Sequence, residues 1–440
     1  MLRAVVNARY TSELAQELGP DLLERFLRYV RIDTQSQRER TQSPSTPGQI
    51  EFARLLAGEL RDAGLGDAEV DENGYVTATL ERTGDAAPAI GLIAHLDTSP
   101  DAPGTGVEPI VHEQYGGGVI ELPRCGTRLD PASMPELTPK VGHDIVTSSG
   151  DTLLGADDKA GVAAIMAAVV YLAAHPEIPR PRLRIAFTPD EEIGEGATLF
   201  DIPRFNSICA YTLDGSALGE LQDETFSALE AILTIHGVEV HPGQATGKLV
   251  NALRLAAQVV AALPADLAPE TTAGREGFIH PYELSGGPAV AQMRVILRDF
   301  DEGKLEDHAA LLERIAREVV GAEPRARLEL SVRWQYHNMR RYLEPVPYVT
   351  AAAEEAIREE GIEPLREPIR GGTDGSRLSE MGLPTPNIFT GGHEYHSVRE
   401  WVSAQDMAAA AATVVRLAEI WTRPEYARRG SNGSRTRSWG

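Results

Sequence analysis

Apolar residues recur at helical spacing in two early stretches. Leu22, Leu23, Phe26, Leu27 and Val30 follow Pro20-Asp21, and Phe52, Leu55, Leu56 and Leu60 lead towards Gly64. Asp71-Glu72-Asn73-Gly74 is turn chemistry ahead of a strand over residues 75–80. Four short apolar runs then each stop at a polar cluster. Residues 89–94 run into His95-Leu96-Asp97, and 183–187 into Thr188-Pro189-Asp190-Glu191-Glu192. Residues 208–213 run into Asp214-Gly215, and 387–389 into a stretch ending Gly392-His393-Glu394-Tyr395-His396. Helical segments over 160–174 and 404–421 lie among them. Strands alternating with helices, with reactive residue types at the strand C-termini, predict an α/β fold around a central, mostly parallel sheet flanked by helices.

Residues 227–340 have another rhythm. A strand over 229–236, a helix over 249–263, a strand over 291–298, a helix over 305–320 and a strand over 327–336 suit a small ferredoxin-like α+β unit. It interrupts the α/β pattern, which resumes after Pro345. The expected organisation is a catalytic domain in two parts, residues 1–226 and 341–428, around an inserted domain at 227–340. Residues 429–440 form a basic tail expected to be flexible.

Composition narrows the class. With 42% hydrophobic and 24% charged residues the chain reads as globular, and 440 residues exceed one ordinary core. No run approaches the ~18 apolar residues of a membrane span, and the first ten residues lack a secretory core. Cys125 and Cys209 form no Cys-x-x-Cys pair, which argues against a thiolate metal site and suits a reducing cytoplasm. A formal charge of −23 disfavours nucleic acid as a partner. Asn432-Gly433-Ser434 fits a glycosylation sequon, which has no use without secretion.

Without thiolates, zinc and similar ions take nitrogen from histidine and oxygen from carboxylates. His95, Asp97, Asp157, Glu191, Glu192, Asp214 and His396 offer such groups, but far apart in the chain, so only a fold could gather them. Each has an ordinary reading too. Asp157-Asp158 suits a helix N-terminus, Asp190-Glu191-Glu192 a solvated turn, and either His393 or His396 a surface position. Their joint placement at the ends of successive apolar runs favours one site, because converging carboxylates repel unless cations compensate.

His95-Leu96-Asp97-Thr98-Ser99-Pro100, Leu153-Leu154-Gly155-Ala156-Asp157-Asp158-Lys159 and Phe187-Thr188-Pro189-Asp190-Glu191-Glu192 resemble motifs of the peptidase T family. So do Val240-His241-Pro242-Gly243, Ile369-Arg370-Gly371-Gly372-Thr373-Asp374-Gly375 and Pro386-Asn387-Ile388-Phe389-Thr390-Gly391-Gly392, the likeness running from about residue 20 to 422. These are tripeptide aminopeptidases among the co-catalytic di-zinc exopeptidases. The resemblance implies a zinc-exopeptidase-like catalytic domain and two Zn2+ per subunit, with Co2+ or Mn2+ as alternatives. His95 and Asp214 would bind one ion, Glu192 and His396 the other, and Asp157 both. Asp97 would orient His95, and Glu191 would be the general base. At Gly392-His393-Glu394-Tyr395-His396-Ser397 the chain departs from the family, having His393 and Ser397 where other residues are usual, so His393 competes with His396.

The same resemblance makes the inserted domain a lid and dimerisation domain. His241 would stabilise the oxyanion in the partner subunit of a homodimer, and Arg298, Arg370 and Asn251 would contact substrate. From the residues alone, His241 suits a strand end before a turn, the arginines suit ion pairs and Asn251 suits a helix start. The expected activity is release of the N-terminal residue from tripeptides. The alternatives are an N-acyl-amino-acid deacylase or a dipeptidase using the same metals, or a binding protein with a relic site.

Overall fold

The computed structural model describes residues 9–84 and 87–429. The tail expected at 429–440, apart from Arg429, and the sequon therefore lie outside the described residues. The described residues form two compact units, one within residues 1–223, 342–367 and 373–440, the other within residues 224–341 and 368–372.

The larger unit is built on a seven-stranded sheet. Its order is Glu69–Val70, Val76–Leu80, Leu183–Thr188, Ile90–His95, Ala210–Gly215, Asn387–Phe389 and Leu221–Gln222. The middle strands, from Leu183–Thr188 to Asn387–Phe389, run parallel, and the outer pairings are antiparallel. The parallel strands are almost wholly buried, as expected where helices cover both faces. The helix Ala156–Ala174 packs against Ile90–His95 and Ala210–Gly215, and also against the helices Glu13–Tyr29 and Ala404–Ile420. It is buried nearly all round, which explains its run of small apolar residues. A Cβ on Gly161 would stand 1.8 Å from the Leu213 carbonyl oxygen. Glycine thus lets this helix approach the strand bearing Asp214, which brings Asp157 and Asp214 together.

The first helix begins earlier than its apolar pattern suggested. It runs Glu13–Tyr29 with Pro20 inside, and Ser12 caps it by accepting the Ala15 N–H. Proline removes one backbone donor, but Ala15, Leu18, Leu22, Phe26 and Tyr29 bury a single face across it, and that burial prevails. A second, antiparallel sheet of Gly392–His393, Trp401–Ser403, Ile145–Thr147 and Ile110–His112 had no sequence signal, since its strands are too short to show alternation.

The smaller unit is a four-stranded antiparallel sheet in the order Phe278–Gly286, Val290–Asp299, Ser227–His236, Arg327–Tyr336. The helices Ala252–Ala262 and Glu302–Gly321 cover one face, burying Leu229, Leu233, Met293, Val295 and Leu312. The edge strand Phe278–Gly286 completes the β-α-β-β-α-β order and was not expected. Pro281 sits in it beside a register shift, a place where an edge strand tolerates a missing N–H.

Candidate metal centre

The parallel strands deliver their polar ends to one edge of the sheet, as open α/β sheets do. His95 closes its strand and is 2% exposed. Its Nδ1 lies 3.1 Å from the Asp97 carbonyl oxygen, which can only accept, so Nδ1 carries the hydrogen. Nε2 then faces Asp157 Oδ1 at 2.8 Å and Asp214 Oδ1 at 3.7 Å. A lone pair cannot rest that close to a carboxylate oxygen, so a proton or a cation must stand between them.

The other Asp157 oxygen makes the second half of the site. His396 Nε2 is 3.3 Å from Asp157 Oδ2 and 2.8 Å from Glu192 Oε2. His95, Asp157 and Asp214 form one group of possible ligand atoms, and Asp157, Glu192 and His396 form another, each with its atoms within 4.8 Å of one another. Asp157 belongs to both. It heads the helix Ala156–Ala174, where it and Asp158 keep non-helical backbone angles. Asp158 takes the local role instead, accepting the N–H groups of Gly161 and His95.

His396 reaches the site because of its loop. It lies in the hairpin between Gly392–His393 and Trp401–Ser403, with Glu394 and His396 both in the left-handed region at φ of 56° and 60°. Tyr395 folds back so that its hydroxyl donates to the Gly215 carbonyl, and a Cβ on Gly392 would stand 2.5 Å from its ring. His393 goes elsewhere: 8% exposed, it stacks on Trp401 with 4.3 Å between ring centroids. Burial, helped by Lys140, pushes it down to about 3. The fold thus places His396, and not His393, beside Asp157 and Glu192.

Asp97 does more than its spacing suggested. One carboxylate oxygen is 3.4 Å from His95 Nδ1, and the two oxygens accept the N–H groups of Glu191 and Glu192 at 3.0 and 3.2 Å. It therefore anchors the turn that carries both glutamates. Asp190, beside them, is held by Ser45 and Gln49. Asp101, Asp374 and Glu400 also surround the cluster without having been singled out. Asp101 Oδ2 lies 3.4 Å behind His396 Nδ1, and Asp374 accepts from the Thr188 hydroxyl at 2.7 Å. Asp374 belongs to the Ile369-Arg370-Gly371-Gly372-Thr373-Asp374-Gly375 stretch, whereas no local pattern marks Asp101 or Glu400.

The electrostatics are those of acids short of counter-charge. Burial raises Glu192 to about 8, with Asp157 adding to the effect, and raises Asp214 to about 6 with the same neighbour. Burial, with Asp374, Asp214 and Glu192, lifts Glu191 well above its usual range against the pull of His95. Burial opposes charge on His396, yet Asp157 and Glu192 outweigh it and raise the ring to about 11. Glu192 Oε1 is buried with no hydrogen-bond partner. A buried orphan carboxylate oxygen is costly, and a cation would satisfy it. The donor set, nitrogen and oxygen without sulfur, fits divalent zinc, cobalt or manganese.

The remaining candidates belong to the smaller unit. His241 is exposed, and its Nδ1 accepts the Gly243 N–H at 3.1 Å, which leaves Nε2 as the donor. Asn251 caps the helix Ala252–Ala262 by accepting the Arg254 N–H. Arg370 packs with this unit, donating to Thr272 and to the Glu276 carbonyl rather than to a carboxylate. Arg298 lies over the Tyr336 ring, 4.8 Å from its centroid, with a buried Nη1 that has no partner. Burial lowers it to about 10.

Known proteins are similar to this chain in sequence and fold. The model of peptidase family M20/M25/M40 matches residues 153–420. A peptidase T of Vibrio parahaemolyticus is 47% identical over 400 residues, covering 91% of this chain and 98% of that protein. The crystal structure of aminopeptidase PepT from Bacillus cereus superposes with a TM-score of 0.71 at 22% identity, covering 92% of this chain and 99% of that one. A tripeptidase from Staphylococcus aureus gives 0.72 at 20% identity, with the same coverage. The chain therefore belongs to peptidase family M20/M25/M40, and within it to the peptidase T proteins.

Proposed function

We propose that this metal-dependent aminopeptidase releases the N-terminal residue of tripeptides at a pair of divalent cations, zinc by preference. His95 and Asp214 would hold one ion, Glu192 and His396 the other, and Asp157 both. The observation that carries the reading is the Asp157 carboxylate, one oxygen facing His95 and the other His396. The names of its relatives, peptidase T and a tripeptidase, support the substrate class.

Bound cations would make water acidic near neutral pH and polarise the scissile carbonyl. The protein supplies the rest. Glu191 takes the proton of the attacking water and returns it to the departing amine, a role that its neighbour Glu192 cannot share while serving as a ligand. Asp97 keeps Glu191 in place through its backbone N–H and keeps Nδ1–H of His95 turned away from the cluster. Arg298, with its unpartnered Nη1, suits the tripeptide carboxylate. Arg370, whose Nη atoms bond Thr272 and Glu276 while Nε has no partner, and Asn251, whose Oδ1 caps a helix, would contact the substrate through their remaining donors.

Comparing a free tripeptide with its N-acetyl form tests the activity. A site built for a free ammonium should favour the free peptide by about 100-fold or more in kcat/KM. Preference for the acetylated form would make the chain a deacylase. The choice of histidine has its own test in metal content after dialysis. His396→Ala should retain at least one ion fewer per chain than His393→Gln, which should match the wild type; the reverse order would place the ligand at His393.

His241 would donate Nε2–H to the oxyanion across a homodimer through the inserted unit. Glu191→Gln and His241→Ala proteins, each nearly inactive, should then complement when mixed. Random exchange of subunits would restore about a quarter of wild-type activity, since half the dimers gain one complete site. No recovery after verified exchange would confine each site to one chain. A cytoplasmic location accords with the cysteine content, and no helix among the described residues is long and apolar enough to cross a membrane.

A further inference from the structure

Glu400 lies four residues beyond His396, at the far end of the same hairpin loop, and is 1% exposed. Its carboxylate bonds nothing on its own hairpin. Oε2 accepts the N–H groups of Leu154 and Gly155, both at 2.8 Å, and Oε1 accepts the N–H of Asp157 at 3.0 Å. These donors open the helix Ala156–Ala174, whose own N-cap, Gly155, has no side chain and sits at φ 84°. Glu400 is thus a cap supplied from another segment, at the helix end where a negative charge is favoured. The loop is held at its other end too, because the Glu400 N–H donates to the Ser397 carbonyl and the Ser397 hydroxyl to the Glu394 carbonyl. One short rigid loop therefore presents a candidate ligand, His396, and also grips the backbone of a second one, Asp157.

We propose that Glu400 is a positioning residue that fixes the separation of Asp157 from His396, and so sets the affinity of the cation held by Asp157, Glu192 and His396. The inference rests on the two-metal reading above. Both ions share Asp157, but His95 and Asp214 sit on strands that Glu400 does not touch, whereas His396 sits on the same loop as Glu400, so the ion beside His396 should weaken more than the other. Replacing a carboxylate oxygen by an amide N–H2 would turn a donor towards backbone donors. That loosens the Asp157 segment against the hairpin without opening a cavity.

The test is calorimetric titration of metal-stripped protein with Zn2+ alone, comparing wild type, Glu400→Gln, Glu400→Asp and Tyr211→Phe. Tyr211 is a buried core residue bonded to Trp421 and to the Val349 carbonyl, and its variant controls for lost stability. Wild type should take up two ions. Glu400→Gln should weaken the ion beside Glu192 and His396 by about 10- to 100-fold, the usual effect of losing a ligand's supporting group, and the ion beside His95 and Asp214 by clearly less, through the Asp157 they share. Glu400→Asp keeps the charge but withdraws it by one methylene, so it should show the same split and serves alone if Glu400→Gln does not fold. Tyr211→Phe should lower the melting temperature with both affinities unchanged. Two unaltered affinities in the Glu400 variants, or equal weakening of both sites in these variants and in Tyr211→Phe, would overturn the inference while leaving the two-metal site intact. Fewer than two ions in the wild type would overturn both.

Discussion

Glu191→Gln is expected to reduce kcat on a tripeptide by about 10²- to 10⁴-fold, the range of a lost general base, with the fold and metal content preserved. The amide matches the carboxylate in shape, and the backbone N–H that Asp97 holds is unaffected. What disappears is the carboxylate that the ligand reading leaves free, next to Glu192, to take a proton. Burial and the nearby Asp374, Asp214 and Glu192 hold the Glu191 proton tightly when no cation is present. Two bound cations would counter that repulsion and free the carboxylate to act near neutral pH. Steady-state kinetics with metal analysis on the same sample provide the check. A kcat within tenfold of wild type at unchanged metal content would remove Glu191 from the role.

Asp157→Asn should be more damaging still, because it affects both halves of the site. An amide offers one oxygen where the carboxylate offers two, so the oxygen facing His95 and the one facing His396 cannot both be kept. Metal content should fall from two ions to one at most. Activity should fall by more than the roughly 10- to 100-fold typical of outer groups around a metal. Asp157 is also the acid of this cluster that its surroundings hold ionised. Burial works against the charge, but His396 and His95 outweigh it and keep the carboxyl below its usual range. Retention of two ions by Asp157→Asn would mean that the two groups of ligands do not share it.

The frame of the site was legible because of how α/β folds are built. His95 and Asp214 lie at the ends of apolar strands and Glu192 in the turn after one, so the pattern that revealed the strands also marked their ends. Asp157 was ambiguous, since an aspartate at a helix start usually caps. Here Asp158 bonds the Gly161 N–H, as such an aspartate does, while Asp157 faces the histidines. His393 and His396 could not be told apart by sequence, because left-handed turns at Glu394 and His396 decide which ring points inward. Glu400 and Asp101 were invisible for another reason. Their importance comes from contacts with residues more than two hundred positions away, and no local period records such contacts. The strand Phe278–Gly286 was hidden by Pro281, which is ordinary at a sheet edge and a deterrent in any sequence pattern.

Whether Asp157 stands between two cations can be seen by anomalous diffraction at the zinc absorption edge from crystals of the zinc-loaded protein. Two peaks per chain are expected on opposite sides of the Asp157 carboxylate, one beside His95 and Asp214, the other beside Glu192 and His396. A single peak, or a pair that does not share Asp157, would contradict this arrangement.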